Sequence, residues 1–464
     1  MASSLSTTYS RPHSHPPPSL DLICLVGILV TALPVACGHD DSEAPAPFTS
    51  RVSVATDRTE ATGGPSGVPA VSGDGRYVAF ASDATNLIAS DTNGQTDVFV
   101  YDSATGQTTR VSISSNGTEA TGGGSRNPAM SADGRYIAFE SDATNLVNAD
   151  TNGVTDIFLH DRTSGDTTRL SVDNGGNQAT GVASFGPSIS ADGQHVAYVS
   201  GASDLVLGDT NNLPDIFVRD RPANVTSRVS VATGGTQGTG PAGSINPSLS
   251  ADGQFVTFAS AMTDLVANDT NNEYDVFVHD RLSGATTRVS VTNTGSQATG
   301  GASESPSING DGSVVAFRSS ATNLVPGDTN GATDVFLRDL VGGTTIRASV
   351  DSDGTQALGS STMRDGGLSR DGHIVVFESS AANLVTDDTN GVGDVFAHDR
   401  STGRTSRQSV ASSGVEATGG LSANAVISGN GMVVAFDSFA SNLVPADTNG
   451  QLDVFRASRR SDAR

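Results

Sequence analysis

The amino-acid sequence predicts an all-β chain folded as a seven-bladed β-propeller of four-stranded antiparallel blades, and three observations carry the prediction. The tetrapeptide Asp-Thr-Asn-(Gly/Asn) begins at Asp91, Asp150, Asp209, Asp269, Asp328, Asp388 and Asp447, at spacings of 59, 59, 60, 59, 60 and 59 residues. Each interval holds four short apolar runs separated by turn-forming residues, the signature of one four-stranded unit repeated along the chain. The two ends also complement each other. Arg51-Val-Ser-Val54 reads as a fourth strand with no unit before it, whereas the seventh unit runs out after Asp453-Val-Phe-Arg456. The N-terminal strand is therefore expected to complete blade seven, which removes the free sheet edge.

Taken in order, residues 1–37 read as an export signal. Leu22 to Ala36 is an apolar run of 15 residues ending at Cys37, too short for a membrane span and placed like a signal-peptide core. Leu33-Pro-Val-Ala-Cys37-Gly38 resembles a bacterial lipobox, in which the cysteine becomes lipidated, so Cys37 is the expected anchor point. Ordinary signal-peptidase cleavage nearby is the alternative. Residues 38–50 are acidic and Pro-rich, as a tether would be. Residues 51–464 are the propeller. Both cysteines, Cys24 and Cys37, precede it, so its stability must come from packing and not from disulfides.

Within the second unit the strands are expected at Asn127–Ser131, Tyr136–Glu140, Asp156–His160 and Arg169–Val172. Ser131-Ala-Asp-Gly134 joins the first two, its Gly accepting positive φ and its Asp forming an Asx-turn. Asp161-Arg-Thr-Ser-Gly165 joins the last two. In such a meander the two short turns share one face of the propeller. The long second-to-third loop and the blade-to-blade connection share the other, where binding usually resides.

Composition removes several functions. Fifty acidic against 26 basic side chains give a formal charge of −24, which repels phosphate backbones and excludes nucleic acid as a partner. Every basic residue is Arg and none is Lys, so a P-loop, a Schiff-base lysine and a Ser-Lys dyad are impossible. No G-x-S-x-G, H-E-x-x-H or C-x-x-C occurs.

The run Ser-x-Asp-Gly-x-x-(Val/Ile)-(Ala/Val)-Phe followed by Asp-(Val/Ile)-Phe-(Val/Leu)-x-Asp, seen at Ser72 to Phe80 and Asp97 to Asp102, resembles the TolB-type propeller repeat of exported bacterial proteins. The resemblance spans residues 51–464 and implies the propeller fold, a periplasmic or cell-envelope location and, as one functional reading, a TolB-like role in envelope translocation. The chain departs from TolB itself in having seven units and longer loops, and no α/β domain ahead of the repeats.

Charge is expected to sort by face. Arg110, Arg169, Arg228, Arg288, Arg347 and Arg407 are read as starting the fourth strands at the short-turn face. There they would pair across strands with Asp102, Asp161, Asp220, Asp280, Asp339 and Asp399, which end the third strands. That would leave the long-loop face acidic.

The sharpest chemical motif is Asp-Thr-Asn-Gly-x-x-Asp. Acidic and amide side chains at positions 1 and 3 with a later carboxylate resemble the opening of a Ca²⁺ loop. Asp91, Asn93 and Asp97 form it in blade 1, Asp150, Asn152 and Asp156 in blade 2, and Asp328, Asn330 and Asp334 in blade 5. Asp388, Asn390 and Asp394 repeat it in blade 6, and Asp447, Asn449 and Asp453 in blade 7. The alternative is that Asn-Gly makes a tight turn and the Asp side chains cap backbone N–H groups. His160, His279 and His398 recur in alternate blades, too far apart to share a metal, and read as structural.

The repeat is broken just before the first strand, at the expected mouth of the central channel: Arg126 and Asn127, Phe185, Asn246, Glu304, Arg364 and Asp365, and Asn424. Blade 6 departs most, with Thr362-Met-Arg-Asp-Gly-Gly367 where the others mostly have Pro. Mixed acids, amides and arginines there suit a polar ligand such as a glycan or peptide. The reading favoured by the sequence is an exported, lipid-anchored monomer that binds a protein or glycan through its acidic long-loop face, with Ca²⁺ ordering the loops. The rival is an extracytoplasmic hydrolase or lyase with its site at the channel mouth.

Overall fold

In the computed structural model, residues 48–459 are described. The export signal, Cys37 and the tether up to residue 47 lie outside them. Strands and turns make up the whole described chain, in seven four-stranded antiparallel sheets of consecutive strands. Blade 1 is typical: Ser66–Val71, Tyr77–Ser82, Asp97–Asp102 and Gln107–Arg110. The closing strand is Thr49–Arg51, which pairs with Asp453–Ser458 in the register Arg51↔Phe455 and completes blade seven.

The second and third strands are buried on both faces, hence their near-continuous Val, Ala and Phe. Facing phenylalanines stack in the blades, as Phe80 on Phe99 at a centroid distance of 5.9 Å. Seven apolar clusters fill the gaps between neighbouring blades. The one between blades 1 and 2 combines Val98, Val100 and Val111 with Ile137, Phe139 and Leu146. Leu146 belongs to the long loop, so part of that loop is core.

The fourth strand is set differently from the sequence expectation. Pairing ends at Arg110 and Arg169 instead of beginning there. Arg110-Val-Ser-Ile113 looks like a strand because Val111 alternates with polar neighbours, yet Val111 packs into the next blade interface and Ser112 replaces a strand contact with its side chain. The hydroxyl accepts from Val98 N at 3.1 Å and donates to Asp97 at 2.5 Å.

The innermost strands line the channel. In six blades this strand carries a β-bulge, with a positive-φ residue at Val68, Asn127, Gly186, Asn246, Ser305 and Asn424. Asn suits that backbone region. At the short-turn end, backbone hydrogen bonds run from blade to blade in a closed ring: Gly73 N to Ala132 O, then Ala191, Ala251, Gly310, Arg370, Gly429, and Asn430 N back to Gly73 O, all at 2.8–3.0 Å.

Candidate functional site in the central channel

The long-loop motif forms an ion-pair centre. Because the fourth strand ends at Arg110, that side chain reaches the long-loop face, where Nη1 lies 3.3 Å from Asp91 and 3.1 Å from Asp97, and Nη2 2.9 Å from Glu119. Equivalent arginines fill the other blades: Arg169 with Asp150 and Asp156, Arg347 with Asp328 and Asp334, Arg407 with Asp388 and Asp394, and Arg51 with Asp447 and Asp453. The expected pairs with Asp102 and its counterparts are therefore corrected, and with them the unpaired acidity of the long-loop face. Asp102 instead takes a bidentate contact from Arg76 at 2.7 and 2.8 Å, which holds its carboxyl down to about 2.

This donor set does not fit Ca²⁺. Asn93 turns its amide nitrogen, not its oxygen, toward Asp97 at 2.8 Å and Ala120 O at 3.0 Å, and its oxygen accepts from Gln95 N. Asn152, Asn330, Asn390 and Asn449 do the same toward Asp156, Asp334, Asp394 and Asp453. A guanidinium stands where a cation would gather the carboxylates. Among the described residues, no three His, Cys, Asp or Glu side chains are placed to share an ion. Burial raises the carboxyls of Asp91, Asp150, Asp388 and Asp447 above the usual range. The histidines are buried, with His160 Nδ1 2.9 Å from the Thr167 hydroxyl, and burial lowers their basicity.

The channel holds a chamber of about 360 Å³, lined by inner strands and bounded toward the short-turn face by a collar of Val71, Met130, Ile189, Leu249, Ile308 and Leu368. Of the eight channel-mouth residues, it brings together Asn127, Asn246, Arg364 and Asp365. Arg126 instead pairs with Glu140 at 2.9 Å and Asp142 at 2.8 Å, and Glu304 with Arg318 at 2.8 Å. Asn127 and Asn246 are the bulge residues of their strands, and Asn127 donates to Glu140 at 2.7 Å.

Arg364 and Asp365 are the chamber's only charged lining residues among those described. Their position follows from an insertion. The paired serines that open the first strand and close the second are 16 residues apart elsewhere, as Ser66 and Ser82, but 18 apart in blade 6, Ser361 and Ser379. Its inner strand shrinks to Ser361–Thr362, and the extra length folds into the channel around Gly366, at φ +82°. Gly366 O accepts from Ile427 N at 2.9 Å, which ties the loop to blade seven.

Asp365 points across the axis. Burial raises its carboxyl, opposed by the Ser248 and Ser188 hydroxyls and by Arg364. The Arg364 guanidinium has no hydrogen bond or ion pair among the described residues, and its Nη1 is fully buried. Behind this wall stand Glu378 and Asp437, which repeat-breaking in the first strand alone did not single out. Glu378 accepts from Ala425 N at 2.7 Å and is pushed up to about 7 by burial, partly offset by that bond and by Arg364. Asp437 accepts from Val68 N at 3.0 Å and Asn424 Nδ2 at 2.9 Å. In blades 1, 3 and 4 the same position is Ala81, Val199 or Ala259, so comparing second strands was the available signal.

No protein-family model and no curated protein sequence matches the chain. Solved structures do. Oligogalacturonate lyase from Vibrio parahaemolyticus aligns over 89% of this chain and 94% of its own, at 12% identity and a TM-score of 0.50. The likeness is one of fold. TolB from Acinetobacter baumannii aligns over 61% of this chain at 17% identity and a TM-score of 0.36, and the match spans 54% of that protein's length. Dipeptidyl peptidase 4 from Porphyromonas gingivalis aligns over 82% and 51% of the two chains at 14% identity and a TM-score of 0.42. At such identities a shared propeller carries no activity from one protein to another.

Proposed function

We propose that the protein is an exported binding module that takes a small glycan end in its central channel. Export rests on residues 1–37, with lipidation at Cys37 and the acidic, Pro-rich stretch between Cys37 and the closing strand as the tether. The observation that carries the binding site is the Arg364–Asp365 pair, set by a two-residue insertion into a chamber otherwise lined by small, apolar and amide or hydroxyl side chains. Neighbouring donor and acceptor groups on a rigid wall match the alternating donors and acceptors of sugar hydroxyls, and the volume is within the range of small-ligand pockets. The long-loop face is the weaker site, since its carboxylates are bound to arginines.

Binding also has more support than hydrolysis. Glu378 and Asp437 lie behind the chamber wall, so the chamber presents Asp365 without a second carboxylate for acid–base work. The test is a glycan array probed with the full chain, beside the double variant R364Q/D365N and the long-loop variant E119Q. Glycan binding that the channel variant loses and E119Q keeps supports the proposal. Binding unchanged in the channel variant, or no glycan bound by the unaltered chain, would overturn it.

A further inference from the structure

We infer that the channel ligand carries a carboxylate and reaches the chamber from the short-turn face, where Arg370 meets it before Arg364 holds it. This rests on the glycan-binding reading and narrows the ligand class to a hexuronate or a glycan ending in one.

The first observation is an imbalance inside the chamber. Asp365 accepts from Gly366 N at 2.9 Å, with the Ser188 and Ser248 side chains lining the same chamber. Arg364 has a planar fork of donors and no acceptor for any of them among the described residues. Asp365, Glu378 and Asp437 attract it through space without a hydrogen bond to it, its Nη1 is buried and unbonded, and a carboxylate is the group whose geometry answers a guanidinium with two parallel hydrogen bonds.

The second observation lies outside the collar. The short-turn vestibule shares the collar residues with the chamber and is ringed by Gly73, Ala132, Ala191, Ala251, Gly310 and Gly429. Six small residues keep that mouth wide. The seventh position is Arg370, exposed, with its stem over Gly310 and no ion pair among the described residues. Asp74, the acid beside it in the vestibule, is engaged by the Ser72 hydroxyl at 2.6 Å and Arg76 N at 2.9 Å. Both unpaired arginines come from blade 6, one on each side of the collar. At the other end of the inner strands the charged groups are mutually satisfied, Arg126 by Glu140 and Asp142, and Arg318 by Glu304. Along this route Arg370 and Arg364 are arginines whose side chains have no hydrogen bond or ion pair among the described residues, Arg364 lying in the field of Asp365, Glu378 and Asp437. A single carboxylate suits this route better than a polyanion, because the whole chain carries −24.

The test titrates the full chain with D-glucuronate and D-galacturonate beside D-glucose and D-galactose, by calorimetry and by stopped-flow. At least one hexuronate is expected to bind roughly tenfold or more tightly than its neutral parent, with Arg364→Gln removing that preference and Arg370→Gln slowing association and flattening its salt dependence. Arg370 is exposed, so its variant tests the route even where Arg364→Gln folds poorly. Equal binding of acidic and neutral sugars overturns the carboxylate inference and leaves the glycan reading standing. Acidic preference with association unchanged in Arg370→Gln overturns the route. No binding by any of the four overturns both the inference and the reading on which it rests.

Discussion

Arg110 Nη1 lies 3.1 Å from Asp97 Oδ2, the two residues buried together where the outer strand meets the long loop. The arginine joins three pieces of chain: the loop at Asp91, the third strand at Asp97 and the blade connection at Glu119. Seven such centres explain why the acidic motif recurs so faithfully: it is the internal charge that a buried guanidinium requires. Removing one partner from a buried pair leaves uncompensated charge, so Arg110→Ala is expected to cost about 3–5 kcal/mol in urea denaturation. Arg76→Ala, at the far more exposed pair with Asp102, is expected to cost much less, because solvent screens that pair. Equal losses would contradict the role of burial.

Chelation separates the ion-pair centre from a calcium loop. With arginine between the carboxylates, melting of the full chain is expected to be the same in EDTA as in excess Ca²⁺. A ligand that binds only the folded state raises the melting temperature. A rise with Ca²⁺ that Asn93→Ala abolishes would show that the loops take a cation after all.

Glu378 gives the fold a pH dependence of its own. Its folded pKa, about 7, is above the ordinary glutamate value of 4.5 because burial disfavours the anion. The folded state therefore holds the proton more tightly than the unfolded chain does. The stabilisation this provides is complete below the unfolded pKa and lost as pH rises through about 7, an amount of about 3 kcal/mol for the single group. Glu378→Gln, which mimics the protonated form, is expected to match the parent near pH 4 and to exceed its stability by that order at pH 8. Denaturation at the two pH values reads this directly, and an unchanged difference between them would exclude Glu378 as the cause. Asp102 works in the opposite sense, its held-down carboxyl losing its contribution as pH falls through about 2.

Two glycines with similar backbone angles separate strain from crowding. Gly106 and Gly134 have φ of +75° and +71°, but a Cβ on Gly106 meets nothing within 4 Å, whereas one on Gly134 comes within 2.3 Å of the Tyr77 ring. That ring is held under the Arg162 guanidinium at 4.4 Å. Gly106→Ala is expected to cost about 1 kcal/mol and Gly134→Ala about 3 kcal/mol, in thermal or urea melts. Similar costs would mean that the blade interface at Tyr77 yields freely.

The repeat period, the Asp-Gly turns and the complementary ends made the propeller and its closure legible in the sequence. The fourth strand was misplaced because Arg-Val-Ser-Ile has the alternation of a strand, although Val111 is buried against the next blade and Ser112 hydrogen-bonds through its side chain. That short displacement moved every Arg to the wrong face, since it decides whether Arg110 begins or ends its strand. Arg364 and Asp365 were legible as breaks in the repeat. Arg126 and Glu304 broke it equally and proved to be paired near the strand ends, because sequence variation does not say which charges already have partners. Glu378 and Asp437 escaped notice inside second strands, where an acid between Phe and Ser looks like an ordinary outward-facing residue.

The most direct measurement is a crystal structure of the full chain with the tightest-binding sugar from the titrations. The predicted result is ligand density in the chamber, against Arg364 on one side and Asp365, Ser188 and Ser248 on the other, with the Arg110–Asp97 contact unchanged. Density on the long-loop face, over the Asp91 to Asp97 loops and away from the channel, would contradict it.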